Sequence, residues 1–346
     1  MRGLRKYLTP FAPDQSGAVS VLYELGGIIV ICDAGGCTGN VCGFDEPRWF
    51  ERKSAVFSAG LRDMDAILGR DDRLVAKLTD AAEKIDAGFA AIVGTPVPAV
   101  IGTDYRALRR MCEKKTDLPI LAIDTDGMEL YDKGEEKAYL ELFTVFAKEK
   151  YEVCEEKVGI LGMTPQDVSD LKAADKVREE LKKEGKEAIC YGMGDGIEAV
   201  ERASEVGKNI VVSVAALEVA KYLEKTFGTP YEIGYPAAGE LVPDLDYQGK
   251  KILVVHQQVI AEAIRQEILK RENSAEVQTA IWFMRKKELA CPQDVSLREE
   301  DDYIDLVKNG GFDIIFADAC MEKMVPDFQG IFVNTRHFAV SGRLCE

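Results

Sequence analysis

The sequence predicts an α/β protein with mainly parallel sheets, arranged as three tandem βαβ units. Short aliphatic runs alternate with longer amphipathic stretches along the whole chain, as expected for parallel strands joined by crossover helices. Several of these runs, IIVI, AAIV and ILAI among them, are apolar at every position, which suits strands buried on both faces of a sheet. At 346 residues and 47% apolar content, the chain exceeds one ordinary domain and can fill more than one core. The units are expected at 1–150, 151–250 and 251–346.

In the first unit a basic stub (Arg2, Arg5, Lys6) leads through a proline-containing turn to a helix over 16–25. The first strand, 28–31, empties into a glycine-rich loop that ends in FDEPRW. Helices are expected over 54–68 and 71–88, the second amphipathic and closing at a glycine. A strand over 89–94 runs into a stiff Thr-Pro-Val-Pro loop, followed by a helix over 105–115, a strand over 119–124 and a charged helix over 133–150. The second unit reads as strand 158–162, helix 169–184, a strand ending at Cys190, a glycine-rich exit, helix 197–206, strand 209–214 and helix 217–227. The third reads as strand 251–256, helix 259–271, and strands 277–283 and 313–317 around a helix over 301–309, before the tail GIFVNTRHFAVSGRLCE.

Composition removes several function classes. The formal charge of −16, from 60 acidic against 44 basic residues, lacks the basic footprint of a nucleic-acid binder. No secretory h-region opens the chain and no apolar stretch is long enough to span a bilayer, so a cytoplasmic protein with no membrane partner is expected. There the nine cysteines read as buried thiols, metal ligands or redox groups rather than disulfides. The glycine cluster GMGDG misses the dinucleotide spacing and no phosphate-binding G-x-x-x-x-G-K-[ST] occurs, so no nucleotide is expected on this chain. With two histidines in all, histidine-rich zinc sites and most Ser-His-Asp schemes lack material.

The loop after the first strand is where chemistry is expected, because ligands in open α/β sheets bind outside the carboxyl ends of strands. Cys32, Cys37 and Cys42 fall there at C-x4-C-x4-C spacing, and Gly35 and Gly36 let the backbone approach a bound group. Cys37 and Cys42, joined by Cys32 if it turns outward, are the expected metal ligands; the alternative is a pair of free thiols in a glycine turn. A [4Fe–4S] cluster takes four thiolates, which two copies of the loop facing each other across a two-fold axis would supply from Cys37 and Cys42. Arg336 and His337 form the second candidate group, able to orient an anion and donate a proton. His256, ending the strand KILVVH, reads as an imidazole hydrogen-bonded to backbone.

The stretches GAVSVLYELGG (17–27), GGCTGN…GFDEPRW (35–49), SAGLRDMDAILG (58–69), GTPVPAVIGTD (94–104) and HFAVSGR (337–343) resemble the nitrogenase component 1 family. This family comprises the molybdenum–iron protein subunits, the catalytic parts of the dark-operative protochlorophyllide and chlorophyllide reductases, and the cofactor-assembly scaffold. The resemblance implies three tandem Rossmann-like domains, pairing of two subunits, an iron–sulfur cluster at their interface, and electrons from a separate ATP-hydrolysing iron protein. Cys37 matches a cluster cysteine of that family. Two other cluster-cysteine positions read Pro13 and Pro96, the cofactor cysteine falls near Val212, and the cofactor histidine has a shifted neighbour in His337. An eight-iron cluster and a nitrogenase-type cofactor therefore lack their ligands, and dinitrogen reduction is not expected.

The leading expectation is a nitrogenase-like iron–sulfur oxidoreductase component, a homodimer or a partner of a paralogous subunit. It would accept electrons from the iron protein and reduce a small molecule in the interdomain cleft beside Arg336 and His337. The alternatives are a non-catalytic scaffold or carrier for a metallocluster or tetrapyrrole, and a metal-free small-ligand binder on the same fold.

Overall fold

The computed structural model describes residues 5–345; Arg2 of the basic stub lies outside the described residues. Three sheets organise them, and every strand pair within each sheet is parallel. The first contains β1 (Ile28–Ile31), β2 (Ala55–Ser58), β3 (Ala90–Val93) and β4 (Ile120–Ile123), in the order β2-β1-β3-β4. The second contains β5 (Cys154–Leu161), β6 (Glu187–Cys190), β7 (Val206–Val211) and β8 (Tyr231–Ile233), in the order β6-β5-β7-β8. The third contains β9 (Lys251–Val255), β10 (Glu276–Ile281), β11 (Val295–Ser296), β12 (Ile314–Ala317) and β13 (Ile331–Asn334), in the order β11-β10-β9-β12-β13. This is the expected fold class. The division of the chain at 150 and 250 is kept as a proposal.

The first sheet shows how the pattern produces the layers. Ile29 and Ile31 pack on one face with the helix Asp14–Leu22, while Ile28, Val30 and Cys32 pack on the other with Leu74, Val75 and Leu78 of the helix Asp71–Ala82. Both faces are covered, so β1 and β3 are buried throughout. The helix Asp14–Leu22 lies so close to Tyr131–Phe146 that a Cβ on Gly17 would sit 1.9 Å from the Tyr131 carbonyl oxygen, and one on Gly134 would sit 1.7 Å from that of Asp14.

Some expectations are corrected. Residues 54–68 do not form one helix. AVFS pairs with β1 as the edge strand β2, because Val56 and Phe57 favour extended backbone and Gly60, at φ +60°, breaks the run before the helix Asp63–Leu68. The Thr-Pro-Val-Pro segment is not a loop: Pro96 opens the helix Pro96–Ile101, where its missing N–H is not needed. No helix among the described residues is long and apolar enough to cross a membrane.

Each sheet has one point where strand order reverses, and a crevice opens there at the carboxyl ends. In the first it lies between β1 and β3, in the second between β5 and β7, and in the third between β9 and β12. The chain leaves these strands through Cys32 and Thr95, through Thr164 and Ser213, and through His256 and Asp318.

Candidate functional site

The cysteine segment leaving β1 is helical rather than an open loop. Gly35, at φ +116°, starts the short helix Gly36–Asn40, which widens into the π-helical turn Val41–Asp45, closed by Glu46 N–H donating to the Val41 carbonyl oxygen at 2.8 Å. A π turn takes more residues per revolution than an α turn, which brings positions five apart nearer to one face; such turns recur at functional sites. Cys37 and Cys42 are five apart, and both pack on the core around Leu22 and Ile31, Cys37 half-buried and Cys42 nearly covered. Gly36 is exposed and Gly35 partly so.

Cys32 does not join them. The pleat turns it to the opposite face of the sheet, and the three sulfurs do not gather within 4.8 Å of one another. Its thiol is pushed up to about 12, first by burial and then by Asp71 and Asp33. Burial, then Glu46 and Asp33, push Cys42 up to about 11; burial and then Asp33 raise Cys37, with the Thr95 hydroxyl opposing. A metal ion at these thiols must therefore displace protons.

The segment is held by buried polar groups. Asp33 accepts from the Thr38 N–H at 2.7 Å, the Thr38 hydroxyl at 3.0 Å and the Ser58 hydroxyl at 2.6 Å. Asp45 accepts from Ser16 and Asn40, both at 2.6 Å. Arg48 is fully buried and reaches four groups at once. It meets both Glu46 oxygens at 2.7 Å, Glu24 at 3.1 Å, the Ser20 carbonyl at 2.6 Å and the Gly192 carbonyl at 3.0 Å. The glycine turn at 192–196 thus serves as an anchor for Arg48.

Around this segment the surface is apolar. Ten of the 15 large hydrophobic residues left exposed among the described residues lie between Phe44 and Met128, on β2 or in the loops and short helices following first-sheet strands; Phe50 is 79% and Val100 87% exposed. Concentrations of exposed apolar surface are where proteins meet partners, membranes or ligands. Pro13 and Pro96 stand at helix starts on this sheet and offer no ligand.

Arg336 and His337 are adjacent in sequence but are not brought together. His337 is 1% exposed and lies where the crevices of the second and third sheets meet. Its ring stacks on His256 with centroids 4.3 Å apart and 6° between planes. The Tyr131 hydroxyl lies 2.9 Å from His337 Nε2 and donates to Asp167 Oδ1 at 2.5 Å. Burial drops both imidazoles to about 3, so both are neutral, and the 3.7 Å approach of His337 to Asp167 is not an ion pair. Burial also raises Asp167 to about 6 and keeps Glu135, beside it and bonded to the Thr164 hydroxyl at 2.6 Å, well above the usual carboxylate range. The Arg336 side chain instead lines a separate cavity of about 330 Å³ with Asp170, Lys176, Glu240 and Thr335, and donates to the Leu344 carbonyl. His256 behaves as expected: Nδ1 accepts from the Gln257 N–H at 2.9 Å, and Nε2 faces the Arg336 carbonyl at 3.2 Å. Tyr131, Asp167 and Glu135 escaped the sequence reading, since no local pattern distinguishes them from residues of an ordinary helix start.

Comparison with known proteins agrees with this architecture. The family model of nitrogenase component 1 type oxidoreductases matches residues 15–237. The nitrogenase iron-molybdenum cofactor biosynthesis protein NifE of Bradyrhizobium diazoefficiens is 23% identical over 182 residues, covering 51% of this chain and 32% of NifE. The match thus spans about a third of that relative's length. Among solved structures, nitrogenase Cp1 at pH 6.5 superposes with a TM-score of 0.71 at 13% identity, over 96% of this chain and 87% of that one. The same protein at pH 5 gives 0.68 over 96% and 84%. At that identity the superposition establishes the fold, and the family model, covering well over half of the chain, establishes the kinship. The chain belongs to the nitrogenase component 1 type oxidoreductase family.

Proposed function

We propose that this chain holds an iron–sulfur cluster at the Cys37–Cys42 face and acts as a scaffold or carrier for it, paired there with a second copy or a paralogous subunit. The observation behind this reading is the placement of two thiols on a helical turn within exposed apolar surface. Cys37 and Cys42 from each of two chains would supply the four thiolates of a [4Fe–4S] cluster, and the apolar rim would seal it from water. Resemblance to a cofactor biosynthesis protein is in keeping with a carrying role. So is the separation of Arg336 from His337, which leaves the expected catalytic pair without a shared site.

A reductase is the second reading, favoured by the oxidoreductase description of the matching family model. It would take electrons from an ATP-dependent iron protein and pass them to a small substrate. Anaerobic purification with iron and acid-labile sulfide analysis, plus EPR after dithionite, tests the cluster. About two irons per chain are expected, because one four-iron cluster would be shared by two chains. Because binding must remove protons held tightly on Cys37 and Cys42, iron uptake should rise from pH 6.5 to 8.5. Absence of iron after reconstitution at the higher pH would refute the reading. Reduction of a small-molecule acceptor that requires both this chain and a charged iron protein as the electron source would move the assignment to the reductase.

A further inference from the structure

We propose that the cavity beside Arg336 binds a small zwitterion with an apolar side chain, the chemistry of a free aliphatic or aromatic amino acid. It is separate from the junction that holds His337, and nothing in it depends on iron at Cys37 or Cys42. Its walls come from segments 168–176 after β5, 235–243 after β8 and 333–336 at the end of β13. Strand exits of this kind, and the seams where several of them meet, are where α/β proteins place small-molecule sites. The volume of about 330 Å³ falls within the range of such pockets, roughly 300–1,000 Å³.

The lining matches a ligand of both charge signs. The Lys176 ammonium bridges Asp170 at 3.0 Å and Glu240 at 2.8 Å, so two carboxylates share one cation and one negative charge is left over, which suits a ligand ammonium. Arg336 supplies the opposite charge. Its guanidinium donates to the Leu344 carbonyl oxygen, and a ligand carboxylate is a stronger acceptor for the same donor group than a neutral carbonyl. Burial and then Asp170 raise the Cys345 thiol, with Arg336 and Lys176 opposing, so both signs converge beside that sulfur. Thr335 lines the same cavity; it is 4% exposed, and its hydroxyl has no hydrogen-bond partner among the described residues. An unpaired buried hydroxyl costs free energy that a ligand oxygen would recover. Val168, Leu241, Pro243 and Val333 provide the apolar lining for a hydrocarbon side chain. A phosphate or dicarboxylate would meet the surplus negative charge beside Lys176, and a diamine would meet Arg336; a zwitterion satisfies both.

Isothermal titration calorimetry of the full chain with L-leucine and L-phenylalanine, and with the deamino and decarboxy analogues of each, tests the site. At least one of the two amino acids should bind saturably with Kd below about 1 mM, and its two analogues at least tenfold more weakly. Thr335→Val keeps the shape and removes the unpaired hydroxyl, and Glu240→Gln removes the surplus negative charge. Each should weaken binding at least threefold while the melting temperature stays unchanged. Arg336→Met should abolish binding, with circular dichroism checking its fold; if it does not fold, the other two variants decide. The absence of saturable heat with either amino acid up to about 10 mM would overturn the proposal. So would a deamino analogue that binds as tightly as its amino acid, which would make this an anion site, or binding that neither Thr335→Val nor Glu240→Gln weakens.

Discussion

Arg48 offers the sharpest test of how the cysteine turn is held. Arg48→Met keeps most of the side-chain length and removes the charge. Glu46, 2% exposed and bonded through both oxygens to the guanidinium, is left as a buried carboxylate without its cation. Breaking a buried pair from one side costs about 3–5 kcal/mol. The carbonyls of Ser20 and Gly192 each lose a charged donor, and the guanidinium–Tyr23 contact at 4.9 Å disappears, which places the expected loss near the upper end, about 4–5 kcal/mol. Adding Glu46→Gln should recover about 2–3 kcal/mol, because the stranded charge is the larger part of the penalty. The chain has two tryptophans, Trp49 beside the turn and Trp282 in the core of the third sheet. Guanidinium unfolding of single-tryptophan versions therefore reads the two places separately. Arg48→Met should shift the Trp49 transition to lower denaturant well before that of Trp282. A loss below about 1 kcal/mol at Trp49, or a second substitution that destabilises further, would show that Arg48 is not the clamp.

Two other perturbations probe packing and protonation. Gly134→Ala drives a methyl group to within 1.7 Å of the Asp14 carbonyl oxygen and should cost at least about 2 kcal/mol, whereas Gly36→Ala, with nothing within 4 Å, should stay within about 0.5 kcal/mol; thermal melts showing equal effects would contradict the close helix crossing. Asp167 binds its proton more tightly folded, at about 6 against 3.8 when free, so its contribution is fully present below about pH 4 and is lost as pH rises through 6. That loss is shared with Glu135, whose carboxyl burial raises as well; Asp167→Asn should flatten the fall in stability between pH 4 and pH 8, and parallel profiles for the two proteins would count against it.

Sheet content was legible because strands covered on both faces leave unbroken apolar runs, as in IIVI and KILVV. Edge strands carry a weaker signature. AVFS, with Phe57 partly exposed, looked like the start of a helix, and the three-residue β8 had nothing to mark it. Glycines and thiols mark the cysteine turn in the sequence as the candidate site, but its helical form depends on Asp33 and Asp45 reaching partners at Ser58 and Ser16. Such partners are invisible in a linear reading. For the same reason Arg336 and His337, neighbours along the chain, looked like one group: an extended backbone sends successive side chains to opposite sides, one into the junction and one into a cavity. Tyr131 comes from more than 200 positions away, and only the fold could supply it.

The ties on the cysteine turn reach past its own sheet. Gln166 donates to the Asp45 carbonyl at 2.5 Å and Arg48 to that of Gly192, so the turn is pinned from two loops of the second sheet. A change in angle between the first and second sheets would therefore pull on Asp45 and Arg48 and alter the spacing of the sulfurs at Cys37 and Cys42. The turn is thereby geared to the second sheet, and a partner that shifted that sheet would move Cys37 and Cys42 without touching them.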